Sequence, residues 1–144
     1  MKAILSAVKS RLRSEISYAR NDDVYITEDE RMVRTQGDYP AIGIKDSTIT
    51  YLTEDKIFTS TFLVSITGYI RLYKPESGIM GDDSTGNKGI LDLLSDIKTA
   101  LHDYLLEYDV HLAIPLSQSP STLLGNENIA LIHKTLTMKY KRFF

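Results

Sequence analysis

The chain has no cysteine, and that absence removes disulfides, thiolate metal sites and cysteine nucleophiles together while fitting a reducing compartment. It also lacks any apolar run near the 18 or so residues of a membrane-crossing helix. Residues 1–13 hold only a short apolar stretch between Lys2 and Lys9, too brief for a secretory signal. The expectation is a soluble, intracellular protein. Charge of one sign is scarce too: the formal net charge is -2, which argues against general nucleic-acid binding, a task that needs a strongly cationic surface. At 144 residues the chain reads as one domain, able to bury about 68–70% of its unfolded surface without disulfide or metal.

What is present is periodicity. In residues 87–108 Ile90, Leu94, Ile97, Leu101, Tyr104, Leu105 and Tyr108 recur at steps of three and four, which predicts an amphipathic helix roughly 33 Å long with Asn87 as its N-cap. Residues 2–19 repeat the pattern through Ile4, Leu5, Val8, Leu12, Ile16 and Ala19, predicting an N-terminal helix with a basic outer side. A short strand is expected at 24–27 and an exposed charged loop at 28–38. Residues 39–45 and 48–52 read as two short strands joined by a turn at Asp46-Ser47, with another turn at Glu54-Asp55.

Residues 56–73 alternate most strictly: Phe58, Phe62, Val64, Ile66, Ile70 and Leu72 share one face, and Thr59, Thr61, Ser65, Thr67, Tyr69, Arg71 and Tyr73 the other. A strand of that length must bend, and Gly68 is the expected place for a bulge or kink. Residues 74–86 and 116–128 carry turn residues and no period, and read as loops. A strand is expected at 109–114, ending at Pro115, and a long one at 129–144. The fold class is therefore α/β in the broad sense (α+β): a mixed, mainly antiparallel sheet with long curved strands, covered by one long amphipathic helix and the N-terminal helix.

Catalytic and metal chemistry finds little support. Gly81 to Lys88 lies before a helix like a phosphate loop, but Asn87 separates Gly86 from Lys88, and Gly89 stands where a hydroxyl is needed. His102, His111 and His133 have no ligand spacing. Asp92 with Asp96, and Asp103 with Glu107, are one helical turn apart, where solvated charge is the ordinary reading. No nucleophile elbow is present. The expectation is a protein that is not an enzyme and needs no cofactor or metal.

Charge is segregated, however. Residues 22–30 carry five acids and no base, whereas after Glu127 there are Lys134, Lys139, Lys141 and Arg142 and no acid. Opposite ends of that kind suit a head-to-tail contact between copies, which closes into a ring when the rotation allows. The candidate subunit or tube contacts are Glu28, Asp29, Glu30, Arg31 and Arg34 in the charged loop, Arg71 on the long strand, and Lys134, Lys139, Lys141 and Arg142.

The order of elements also resembles a known family. An amphipathic helix (AILSAVKSRLRSEI), a charged loop, the strand YPAIGIKD, a long alternating strand, a Gly/Ser-rich loop, a long helix and a C-terminal strand together are similar to the tail terminator, or tail-completion, family of long-tailed bacteriophages, the lambda minor tail protein U-like group. The similarity spans most of the chain and rests on element order and the helix plus YPAI pattern. It implies a mixed sheet flanked by helices over residues 1–144, and a hexameric ring that caps the tail tube, stops its polymerisation and offers the head-attachment surface. The implied partners are further copies, the major tail tube protein and a head-completion or neck protein, with no membrane and no specific nucleic-acid binding. The implied location is the virion tail, after assembly in the host cytoplasm. Other classes remain open: another head–tail connector, a monomeric binding module using loops 74–86 and 116–128, or a small enzyme built on Asp82, Asp83 and Lys88.

Overall fold

A computed structural model describes residues 1–29, 31, 37–72, 75–82, 84–106, 110–125 and 130–143. The elements are α1 (Lys2–Glu15), β1 (Val24–Ile26), β2 (Ala41–Glu54), β3 (Ile57–Arg71), α2 (Pro75–Met80), α3 (Ile90–Leu101), β4 (Val110–Gln118), β5 (Thr122–Gly125) and β6 (Ala130–Phe143). They form an α+β fold. The sheet runs β1-β2-β3-β6-β4, with β5 also on β6; β1 lies parallel to β2 and every other pairing is antiparallel. Among the described residues no helix is long and apolar enough to cross a membrane.

The two longest predicted strands form because their alternation puts every second residue on one face. Cross-strand partners share a face, and the pairs Ile66–Leu136, Val64–Met138 and Phe62–Tyr140 are all buried. Against them pack Ile4, Val8 and Leu12 of α1 and Ile90, Leu93, Leu94 and Ile97 of α3, in one core. Ile16 and Ala19 are buried as predicted, but α1 ends at Glu15, and both reach the core through the turn that follows.

The central helix is shorter than its periodicity implies. It spans 12 residues, about 18 Å, because His102 turns into extended backbone and Asp103 and Leu106 adopt positive φ of 60° and 55°. The Asp103 N–H already donates to Ala113 O of β4 at 2.9 Å. Tyr104 and Leu106 still touch the core, but Leu105, predicted on the buried side, is 45% exposed, because the left-handed turn breaks the helical step; Tyr108 lies outside the described residues. Gly89, not Asn87, is the N-cap; its N–H donates to the Asp92 carboxylate at 3.1 Å. A Cβ on Gly89 would lie 2.3 Å from Gly81 N and 2.4 Å from Ile79 O, closer than any side chain tolerates. Asn87 instead bridges to Asp82, accepting the Asp82 N–H at 2.9 Å.

No turn occurs at Asp46-Ser47. Strand β2 runs through it, with a register slip between Asp46, opposite Val64, and Ile49, opposite Phe62. The slip moves the inward phase from Ile42 and Ile44 to Ile49, so a bulge has the same linear signature as two strands. Gly68 is not a bulge: the ladders on both sides pass it unbroken. A Cβ there would meet Leu93 Cδ2 at 2.7 Å and Leu94 Cδ2 at 2.9 Å, so Gly68 is where α3 settles onto the sheet. The β2–β3 turn is Asp55-Lys56, with φ of 49° and 65°, the two-residue hairpin in which both central residues are left-handed.

Three further expectations are corrected. Residues 74–86 contain α2, too short to show a period, which packs by placing Gly78 over Leu72, whose Cδ1 a Cβ would approach to 2.5 Å. Strand β4 does not end at Pro115 but passes it to Gln118, with a slip between Pro115 and Ser117; an edge strand with a slip tolerates the missing donor. Residues 116–128 include β5. Of the 28–38 loop, residues 30 and 32–36 lie outside the described residues.

Candidate functional site

The strand period divides the predicted basic cluster between two faces. Lys139 and Lys141 stand opposite Leu63 and Thr61, on the face away from the helices. Lys134 and Arg142 stand opposite Gly68 and Ser60, on the helix side, where Lys134 Nζ donates to Ser119 O at 2.7 Å. Lys45 joins the first pair: its β3 partner is Ser65, itself opposite Thr137. This face carries half-buried Thr61, Ser65 and Thr137 between its lysines; further along it Thr67 and Tyr69 are buried, Thr67 joined to Thr135 hydroxyl to hydroxyl at 2.8 Å and Tyr69 stacked on His133 at 6.2 Å. The linear run hid Lys45; counting alternate residues on β2 would have found it. Arg71 is exposed at the end of β3, opposite Leu131.

The acidic segment sits elsewhere. Glu28 and Arg31 are exposed and Asp29 half-buried just after β1, with the Asp29 carboxylate accepting the Arg31 N–H at 2.9 Å. Glu30 and Arg34 lie outside the described residues. Strands β2 and β3 separate β1 from β6, three strand spacings or roughly 14 Å, and Lys139 and Lys141 lie several residues further along β6. One member of the acidic run is spent on the fold: Asp23 is buried and accepts the Asp38 N–H at 3.2 Å, while Asp38 pairs with Arg20 at 2.5 Å. That pair raises the Arg20 pKa, first through the Asp38 hydrogen bond.

Among the described residues the far end of the sheet has little cover. Strand β1 pairs β2 only at Ile42–Ile44, and the described part of β6 ends at Phe143, opposite Thr59. At and beyond that row the β2–β3 hairpin leaves Leu52 55%, Ile57 54% and Phe58 55% exposed, and Tyr51, one row inside, 74% exposed. The register places Tyr51 and Phe58 on the helix-side face and Leu52 and Ile57 on the other.

At the opposite end a cleft of about 450 Å³ opens between α2, the start of α3 and the end of β3. Tyr18, Tyr39, Pro40 and Ile70 form its apolar lining; Arg20, Arg71 and Lys88 bring three cations against Asp23 and Asp38. The Tyr18 hydroxyl donates to Asp96 at 2.5 Å. Burial, and then Asp96, push the Tyr18 pKa far above its ordinary value, so the phenol stays neutral. Lys88 lies 3.9 Å from the same carboxylate and 5.5 Å over the Tyr18 ring. This lysine is turned to Tyr18 and Asp96, while Asp82 binds the Ser84 hydroxyl and N–H at 2.6 and 3.0 Å, and those bonds lower the Asp82 pKa. Asp83 lies outside the described residues. Among the described residues no three His, Asp or Glu side chains gather as a metal-binding group. Compared with known proteins, the chain matches no protein-family model and no curated protein.

Proposed function

We propose that the chain is a structural assembly protein of a long-tailed phage, forming a ring that caps the tail tube, stops its growth and presents a surface to the head. One observation carries the assembling part of this reading. Lys139 and Lys141 share the sheet face away from the helices, on β6, while Glu28 and Asp29 lie past β1 on the other side of β2 and β3. A rigid sheet keeps these charges apart within one copy, so their attraction acts between copies, and a head-to-tail contact of that kind closes rings. The phage-tail assignment rests on the element order and the YPAI segment, and the α+β fold is compatible with it.

Light scattering on wild type and charge variants tests the contact. Lys139→Glu with Lys141→Glu is expected to lower the assembled fraction at low salt, and Glu28→Lys with Glu30→Lys in the same chain to restore part of it. Failure of restoration would remove the charge contact.

A further inference from the structure

We infer that the tip of the β2–β3 hairpin seats in the Tyr18–Tyr39 cleft of a second copy of this chain. This rests on the assembling reading above and names a contact by which copies join. The tip exposes large apolar side chains on both of its faces, Tyr51 and Phe58 on one, Leu52 and Ile57 on the other. Docking on a flat surface would cover one pair and leave the other wet; a receptor that takes the tip between walls covers both.

The cleft is such a receptor. Its volume of about 450 Å³ is of the size that encloses most of a small organic ligand, and so of a few side chains. Its apolar lining of Tyr18, Tyr39, Pro40 and Ile70 suits the tip's aromatic and aliphatic groups. In the cleft Arg20 is paired with Asp38 and Lys88 lies beside Asp96, so charge is locally balanced there and the apolar lining is what meets the tip.

Geometry makes the partner another molecule. Thirteen residues of β3 separate Ile57, at the tip, from Ile70, in the cleft wall, roughly 43 Å of strand. The hairpin cannot reach its own cleft, and a knob and a hole at opposite ends of one rigid sheet join head to tail. On the β4 and β5 side competing edge-to-edge pairing is blunted: β4 carries Pro115 and two register slips, and β5 has only four residues.

The absence of native cysteine makes the contact directly readable. Thr53→Cys, exposed at the tip, is mixed under mild oxidation with Ser77→Cys or Asn87→Cys, two separate positions in the cleft wall. The expected result is a tip-to-cleft disulfide exceeding either variant's disulfide with itself, with its yield falling roughly tenfold when Tyr51→Ser and Phe58→Ser, the central aromatic anchors, are added to the Thr53→Cys chain. If light scattering shows oligomers but both mixtures give only tip-to-tip disulfides or none, hairpin docking is overturned and assembly stands. If neither oligomers nor disulfides form, both are overturned.

Discussion

Phe58 and Phe62 are the same residue type on the same face of the same strand, four positions apart, yet Phe58 is 55% exposed and Phe62 6%. What differs is the cover. Phe62 lies within the core beneath the helices, opposite Tyr140, whereas Phe58 lies past the last described residue of β6. Alternation therefore fixes which face a residue takes and says nothing of whether that face is covered. The apolar residues at the end with little cover have the composition of a core without its contacts, and the account supplies their cover from a second copy.

Substitutions along β3 break or sharpen that contrast. Phe62→Ala should cost about 3–5 kcal/mol in urea unfolding, while Phe58→Ala should change monomer stability by within about 0.5 kcal/mol and act on assembly; equal losses at both sites would mean the tip is covered within one chain. Next in size, Gly68→Ala forces a methyl to within 2.7 Å of Leu93 and should destabilise by about 1–3 kcal/mol, as overpacking does. A negligible effect would show that α3 does not rest there.

A third test uses alkali. Tyr18 and Tyr140 both have raised folded pKa values, in each case first from burial. The unfolded phenols lose their protons above about pH 10 while the folded ones keep theirs, so their contribution is intact below that pH and falls as pH rises beyond it. Replacing both with Phe should flatten the alkaline loss of thermal stability; an unchanged slope would contradict the burial. The smallest change is expected at neutral pH from Tyr140→Phe alone, since the Tyr140 hydroxyl is buried with no hydrogen-bond partner among the described residues. Its removal should be neutral or stabilise by up to about 1 kcal/mol.

The long strands were legible because their period survives over many residues, and Ile132, Leu136, Met138 and Tyr140 are all buried. The helix end was not, because the steps of three and four run on in the sequence through Tyr104, Leu105 and Tyr108, past a left-handed turn at Asp103 that no periodicity reveals. The bulge in β2 reads as a turn in the sequence because both reset the phase at Ser47-Thr48. Within the candidate site, parity already assigned Lys139 and Lys141 to the face of Thr135 and Thr137; grouping them with Lys134 and Arg142 followed adjacency in sequence, which a strand ignores. The cleft was invisible for a different reason: Tyr18, Tyr39, Ile70 and Lys88 come from four separated segments, and only the folded sheet brings them together.

The most direct test is the mass of the purified chain by light scattering over a wide concentration range, with negative-stain images of the same samples. The account predicts a closed oligomer of one defined mass, seen as rings, that dissociates when Tyr51 and Phe58 are replaced by serine. A strict monomer at every concentration, with the tip substitutions changing nothing, would contradict it.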